Sequence, residues 1–220
     1  MEAQVVSYWA EFLTIATYHL LAVASPGPDF AVVTRYSLSY GRRVGAFVSL
    51  GVAAGIILHV TYSLVGVAII IKQTQWLYAA ILTAGALYLA YMGVGALQSK
   101  PKPTPDTHEY DPQRPSERRA FMTGFITNGL NVKATLFFLT LFTVVISPDT
   151  PFAWQLSYAI YLILATGVWF LFLSRVLSSE RVFKRVWRYM HWVDRLMGVL
   201  LIALAVHLFI DVLSQLKIIV

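Results

Sequence analysis

The stretch Leu20-Leu21-Ala22-Val23-Ala24-Ser25-Pro26-Gly27-Pro28-Asp29-Phe30-Ala31-Val32-Val33 decides how the chain is read: an apolar run stops for the six residues "SPGPDF" and then resumes. Proline has no N–H to give a helix and its ring clashes with the preceding turn, so a helix cannot run smoothly through two of them. What surrounds the break settles its meaning. Over 220 residues, 58% are apolar and only 13% charged, where soluble domains carry about 25% charge, and the mean hydropathy is +0.66. Such a chain belongs in a bilayer. Hydrocarbon holds no water for the carbonyls that proline frees, so a break at membrane depth must face protein or a wet cavity. The break therefore points inward, toward a site, and the free amides of the helix restarting after Pro28 favour an anionic group such as a carboxylate.

A spanning helix needs about 20 mostly apolar residues. Six stretches qualify, at residues 12–33, 45–71, 77–97, 121–146, 156–173 and 193–213. The segment between the third and fourth is rich in Pro and charge, which divides the chain into residues 1–97, a cytoplasmic linker at 98–120, and residues 121–220. Cytoplasmic loops collect Lys and Arg. Arg35, Arg42 and Arg43 follow the first span, Lys100, Lys102, Arg114, Arg118 and Arg119 lie in the linker, and six more occupy 175–195, against Lys72 and Lys217 on the other side. Both termini are thus predicted outside, and the net charge of +6 reflects topology rather than nucleic-acid binding. Three spans on each side of one long inner loop predict an all-α membrane protein of six transmembrane helices, built as two three-helix repeats of inverted topology. Tyr8, Trp9, Trp76, Trp154, Trp187 and Trp192 flank spans where interfacial rings settle. The basic, aromatic stretch 178–195 is predicted to lie along the inner lipid surface, making membrane lipids a partner. The acidic N-terminus lacks the basic region of a cleaved signal peptide, so the first apolar segment is expected to remain as an anchor.

Charges inside spans are costly and mark function. Asp29 follows Pro28, and Lys133 follows Asn131-Val132 at a similar depth in the other half. Asp29 reads either as a cap on the restarting helix or as a carboxylate in a partly wet cavity, exchanging a proton for a cationic substrate amine; the two roles are compatible. Lys133 lies about 14 residues, roughly 21 Å, along its helix from Arg119, too deep to snorkel easily. It requires Asp29, backbone carbonyls or water as a partner. Gly124, Asn128, Asn131 and Thr135 form a small and polar stripe near it. In the second span Gly51, Gly55, His59 and Ser63 recur every four residues, which reads as close helix packing around a hydrogen-bonded His59 or as a proton relay through it. His19 stands alone among apolar neighbours and is the weaker functional candidate. Asp194, among Arg188, His191 and Arg195, reads as a surface ion pair. The small-residue stripes serve helix packing within one subunit or between two copies, so a homodimer is compatible.

Absences narrow the chemistry. Without cysteine there are no disulfides, thiolate metal sites or Cys nucleophiles. The chain contains no phosphate-cradling G-x-x-x-x-G-K-[ST] loop, no H-E-x-x-H zinc pair and no G-x-S-x-G elbow. No cofactor is called for, and an enzyme, intramembrane or otherwise, would want a nucleophile with its base or paired acids. A metal-cation exporter would want several clustered Asp, Glu or His ligands, whereas the spans offer scattered ones and the linker only His108 with a few acids. Transport driven by an existing gradient fits best.

"SPGPDF", "GRRVGAFVSLGVAAG", "AGALYLAYMGVGAL", "FMTGFITNGLNVKATLFF" and "DRLMGVLLIALAVHL" together resemble the LysE/RhtB family of amino-acid exporters over nearly the whole chain. The resemblance is nearest to the homoserine and threonine efflux branch. It implies a multi-pass protein of the bacterial inner membrane that exports small neutral amino acids by proton antiport, with Pro26, Gly27, Pro28, Asp29, Asn128, Asn131 and Lys133 at the family's motif positions. Two buried opposite charges at matched positions predict the mechanism: Asp29 meets the amino acid's ammonium and couples to protons, while Asn128, Asn131, Lys133 and the exposed amides meet its carboxylate. The chain departs from the pattern at one position: the family reads Asn-Pro-Lys where this sequence has Asn131-Val132-Lys133. Valine does not enforce a break, so the fourth span is expected to be straighter than its twin or to borrow flexibility from Gly129.

Overall fold

The computed structural model describes the backbone at residues 2–73, 75–101, 114–147 and 149–217. Of the positions singled out above, Lys102, His108 and the side chains of Lys72, Trp76 and Lys217 lie outside the described residues. Every regular element among the described residues is helical: α1 Glu2–Ala24, α2 Pro28–Tyr40, α3 Arg42–Gln73, α4 Gln75–Leu97, α5 Glu117–Gly129, α6 Val132–Thr140, a π-helical turn Leu141–Val145, α7 Phe152–Val176 and α8 Glu180–Lys217. Among the described residues, α3, α7 and α8 are each long and apolar enough to cross a membrane, and α5 with α6 is so as a pair bent by 56°.

The first expected span, 12–33, is two helices. α1 stops at Ala24, and α2 starts on Pro28, whose missing N–H is no loss at a first helical position. Gly27 precedes it in extended backbone, and the Ala31 amide donates to the Gly27 carbonyl at 2.9 Å. α2 ends at Gly41, whose φ of +85° favours glycine, and the chain reverses into α3. The fourth expected span is also broken, in spite of Val132. α5 closes as the Leu130 and Asn131 amides donate back to Ile126 and Asn128. Asn131 then caps α6, its Oδ1 accepting from the Lys133 and Ala134 amides at 3.0 and 3.4 Å. An asparagine cap thus makes the break where proline was expected to be needed. The basic stretch 178–195 does not form a separate surface element. It is continuous with the last span in the 38-residue α8, and its Phe183 and Met190 pack into the interior.

Two crossings fix the bundle. α3 meets α5 at Gly51, Gly55 and Gly124, where an added Cβ would strike the Phe121 backbone, Asn128 and the Val48 backbone in turn. α4 meets α8 at Gly93 and Gly198, each facing the other's carbonyl. Around these crossings lie three apolar clusters. One joins Ile15, Ile56, Phe137, Phe138, Tyr158 and Leu162, a second Phe30, Val33, Val48, Phe170 and Phe183, and the third Leu89, Met197, Leu201 and Leu204. In the N-terminal half of α1, Glu11 ties the helices together, accepting from the Tyr158 hydroxyl at 2.9 Å, the Thr150 hydroxyl at 2.9 Å and the Ser147 amide at 2.5 Å.

The backbone contact at Gly124 cannot relax by turning a side chain, so Gly124→Ala is expected to cost about 1–3 kcal/mol, the usual range for overpacking. Gly95→Ala meets nothing within 4 Å and lies inside α4, so it should raise stability slightly, by about 0.4–1 kcal/mol. Thermal unfolding of both variants in detergent compares them directly.

Candidate functional site

The two helix breaks face each other. Proline removes amide donors at 26 and 28, leaving the carbonyls at the end of α1 short of partners. Lys133, one residue into α6, enters the break itself: its Nζ donates to the Ser25 hydroxyl at 2.9 Å and to the Ser25 and Pro26 carbonyls, just beyond α1, at 3.4 and 3.5 Å. In the opposite direction Asp29, in the first turn of α2, reaches the α5–α6 break. Its Oδ2 accepts from Asn128 Nδ2 and Asn131 Nδ2, both at 2.9 Å. Each break thus receives a charged side chain from the other: Lys133 on the hydroxyl and carbonyls of the proline break, Asp29 on the side-chain amides of the asparagine break. Asp29 Oδ1 has no hydrogen-bond partner in the protein.

No hydrogen bond or ion pair joins Asp29 to Lys133; both instead line one cavity, of about 60 Å³, space for about four waters at roughly 15 Å³ each. The cavity sits where the three apolar clusters meet. Ser25, Gly27, Asp29, Asn131 and Lys133 bring the polar wall, and Phe30, Ile56, Leu89, Phe137, Phe138 and Met197 are among its apolar lining. A carboxylate, an amide and an ammonium on one side of an apolar chamber can hold a small molecule that carries both charges, each end meeting its opposite.

The expected site residues fall into three groups. Asp29, Asn131, Lys133 and Gly27 line the cavity. Asn128 is fully buried behind it and orients Asp29. Pro26 and Pro28 shape the break, and Pro26 also presents its carbonyl to Lys133. His59 is not among the cavity's lining residues. It is fully buried, its Nε2 2.8 Å from the Asn128 carbonyl, its Nδ1 hydrogen-bonded to the Tyr62 hydroxyl and its ring stacked on Phe138. It reaches Asp29 only through Asn128.

His19, the weaker candidate on sequence, does line the cavity, together with Thr166, whose hydroxyl lies 2.9 Å from His19 Nε2. Nothing in a lone histidine among apolar residues could have pointed to this, since Thr166 is 147 positions away. Asp194 lies elsewhere than its sequence neighbours suggest. It is no surface ion pair with its basic neighbours: its Oδ1 accepts from the Ser25 hydroxyl at 3.3 Å and its Oδ2 from the Ser99 hydroxyl at 2.9 Å. Among the described residues no three His, Asp or Glu side chains come together as a metal site.

Two broken helices that meet around a small bipolar chamber in an apolar bundle resemble the discontinuous helices on which secondary transporters build their sites. The profile of the LysE type translocators matches residues 20–212, and the chain belongs to that family. It is similar to the threonine efflux protein of Escherichia coli K12, 28% identical over 204 residues that cover 91% of this chain and 98% of the relative. The uncharacterized membrane protein YahN of the same organism is 28% identical over 206 residues, covering 94% and 92%. YrhP, an uncharacterized membrane protein of Bacillus subtilis, is 25% identical over 193 residues, covering 84% and 92%. No solved structure matches the chain.

Asn131 does two things at once, capping α6 and holding Asp29. Asn131→Ala is expected to lower the melting temperature more than Asn131→Ser, because serine keeps a cap acceptor worth about 1 kcal/mol while both lose the amide to Asp29. Unfolding curves of the two variants without cargo make the comparison.

Proposed function

We propose that this protein is a secondary-active exporter of small neutral amino acids, threonine or homoserine among them, working by proton antiport in the bacterial inner membrane. The observation that carries the reading is the shared chamber with a carboxylate and an ammonium on its wall, each anchored by the opposite helix break. A zwitterion has the complementary pair of charges. Its ammonium binds at Asp29, where Oδ2 is held by two amides and Oδ1 remains for the ligand. Its carboxylate binds at Lys133 and Asn131. The apolar lining receives a short side chain. The kinship with a threonine efflux protein agrees with this cargo.

Coupling follows from exchange at a single group. On the outer side a proton replaces the ammonium on Asp29 and the amino acid leaves; on the inner side the proton departs and the next ammonium takes its place. His59 acts in this scheme through Asn128, holding the backbone carbonyl of the residue whose side-chain amide donates to Asp29, and so supports the proton-coupling group by position. Alternating access comes from rocking of the two three-helix halves about the chamber, with six spans and both termini outside. The protein works without a cofactor.

Cells carrying the protein should export threonine faster than cells without it. In everted vesicles, Asp29→Asn should abolish proton-coupled uptake of radiolabelled threonine, and Lys133→Ala should reduce it at least tenfold, the scale of a lost hydrogen bond to a charged group. Undiminished coupled flux in both variants would reject the scheme.

A further inference from the structure

Lys133 has a second carboxylate within reach, and it is not Asp29. The ammonium donates to Ser25 Oγ at 2.9 Å, and that hydroxyl in turn donates a hydrogen bond to Asp194 Oδ1 at 3.3 Å. The directions agree along the chain: ammonium to hydroxyl, hydroxyl to carboxylate. The other carboxylate oxygen is fixed by Ser99 Oγ at 2.9 Å, and the Ser99 carbonyl accepts from Arg195 Nε at 3.1 Å. Asp194 therefore stands in a built seat between α8, the end of α4 and the α1–α2 break, although Arg188, His191 and Arg195 are its near neighbours in sequence. Ser25 is itself buried, with 6% of its surface exposed, and it lines the central cavity beside Lys133. Asp194 and Ser99 line a separate, smaller cavity of about 20 Å³ with Pro26, Lys100 and His191. The hydroxyl of Ser25 thus bridges a charge in the central chamber and a charge outside it.

An ammonium held only by two long carbonyl contacts in an apolar bundle would lose its position, because those bonds are too weak to offset a mobile lysine's freedom. A charge-assisted bond to a hydroxyl that is itself polarised by a carboxylate is stronger and directional. From this we infer that Asp194 is a positioning residue for the transport site, the counter-charge that holds the Lys133 ammonium at the break through Ser25. The division of labour leaves Asp29 free for cargo and proton, since Lys133 does not depend on it. The inference rests on the proposed reading of Lys133 as the group that meets the cargo carboxylate.

The role has two separate consequences. In vesicle transport, Asp194→Asn and Ser25→Ala should each raise the half-saturating threonine concentration about tenfold with the maximal rate changed less than about twofold, and Asp194→Glu should recover part of the affinity. A fall in maximal rate at unchanged half-saturation in both would overturn the inference. The second measurement needs no cargo, so it stands even if the wild type carries no amino acid. In thermal unfolding, Asp194→Asn leaves an unbalanced ammonium and should lower the melting temperature, while adding Lys133→Met to it should cost less than the sum of the single losses. Additive losses would refute the bridge.

Discussion

Unpaired backbone is the constraint on which the whole arrangement depends. Two helices are interrupted inside an apolar bundle, and an unsatisfied carbonyl or amide there costs several kcal/mol. The molecule meets that cost by crossing the interruptions. The proline break is closed by a lysine from the asparagine break, and the asparagine break presents its amides to an aspartate from the proline break. Buried charges that would be expensive in isolation are each held by the opposite break, and Lys133 in turn bonds the backbone of the proline break. The chamber between them is the space left when two such breaks meet.

The rest of the fold holds the breaks in register. Glycines at the α3–α5 crossing bring α5 close enough for Gly55 to face Asn128 directly, where its amide donates to Asp29. His59, one turn further along α3, fixes the Asn128 carbonyl from the same side. On the other flank the α4–α8 crossing at Gly93 and Gly198 sets the end of α4 beside α8, which places Ser99 and Asp194 under Ser25. Substitutions at these glycines act on the site through distance rather than through chemistry.

Much of this was legible in the sequence, for reasons that are themselves physical. Composition and the Pro-Gly-Pro run announced a membrane helix with a gap, and the depth of Lys133 announced a charge needing a partner. Two features were not legible. Valine at 132 argued against a second break, but the break is made by a side-chain cap at Asn131, and capping competes with helix continuation in a way that residue type alone does not reveal. Asp194 read as one acid among surface bases because its real partners, Ser25 and Ser99, are 169 and 95 positions away. His19 and Thr166 were hidden for the same reason. A helical membrane chain signals its depth and its breaks locally, whereas the pairing across helices is settled by packing.

The central claim is that the two breaks together bind a molecule bearing both an ammonium and a carboxylate. Ligand-induced thermal stabilisation of the purified protein tests it most directly, using threonine, threonine methyl ester and N-acetylthreonine at equal concentration. Stabilisation by threonine alone is the expected result. Equal stabilisation by the ester or the acetylated compound would mean that one of the two charges is not recognised, and would contradict the account.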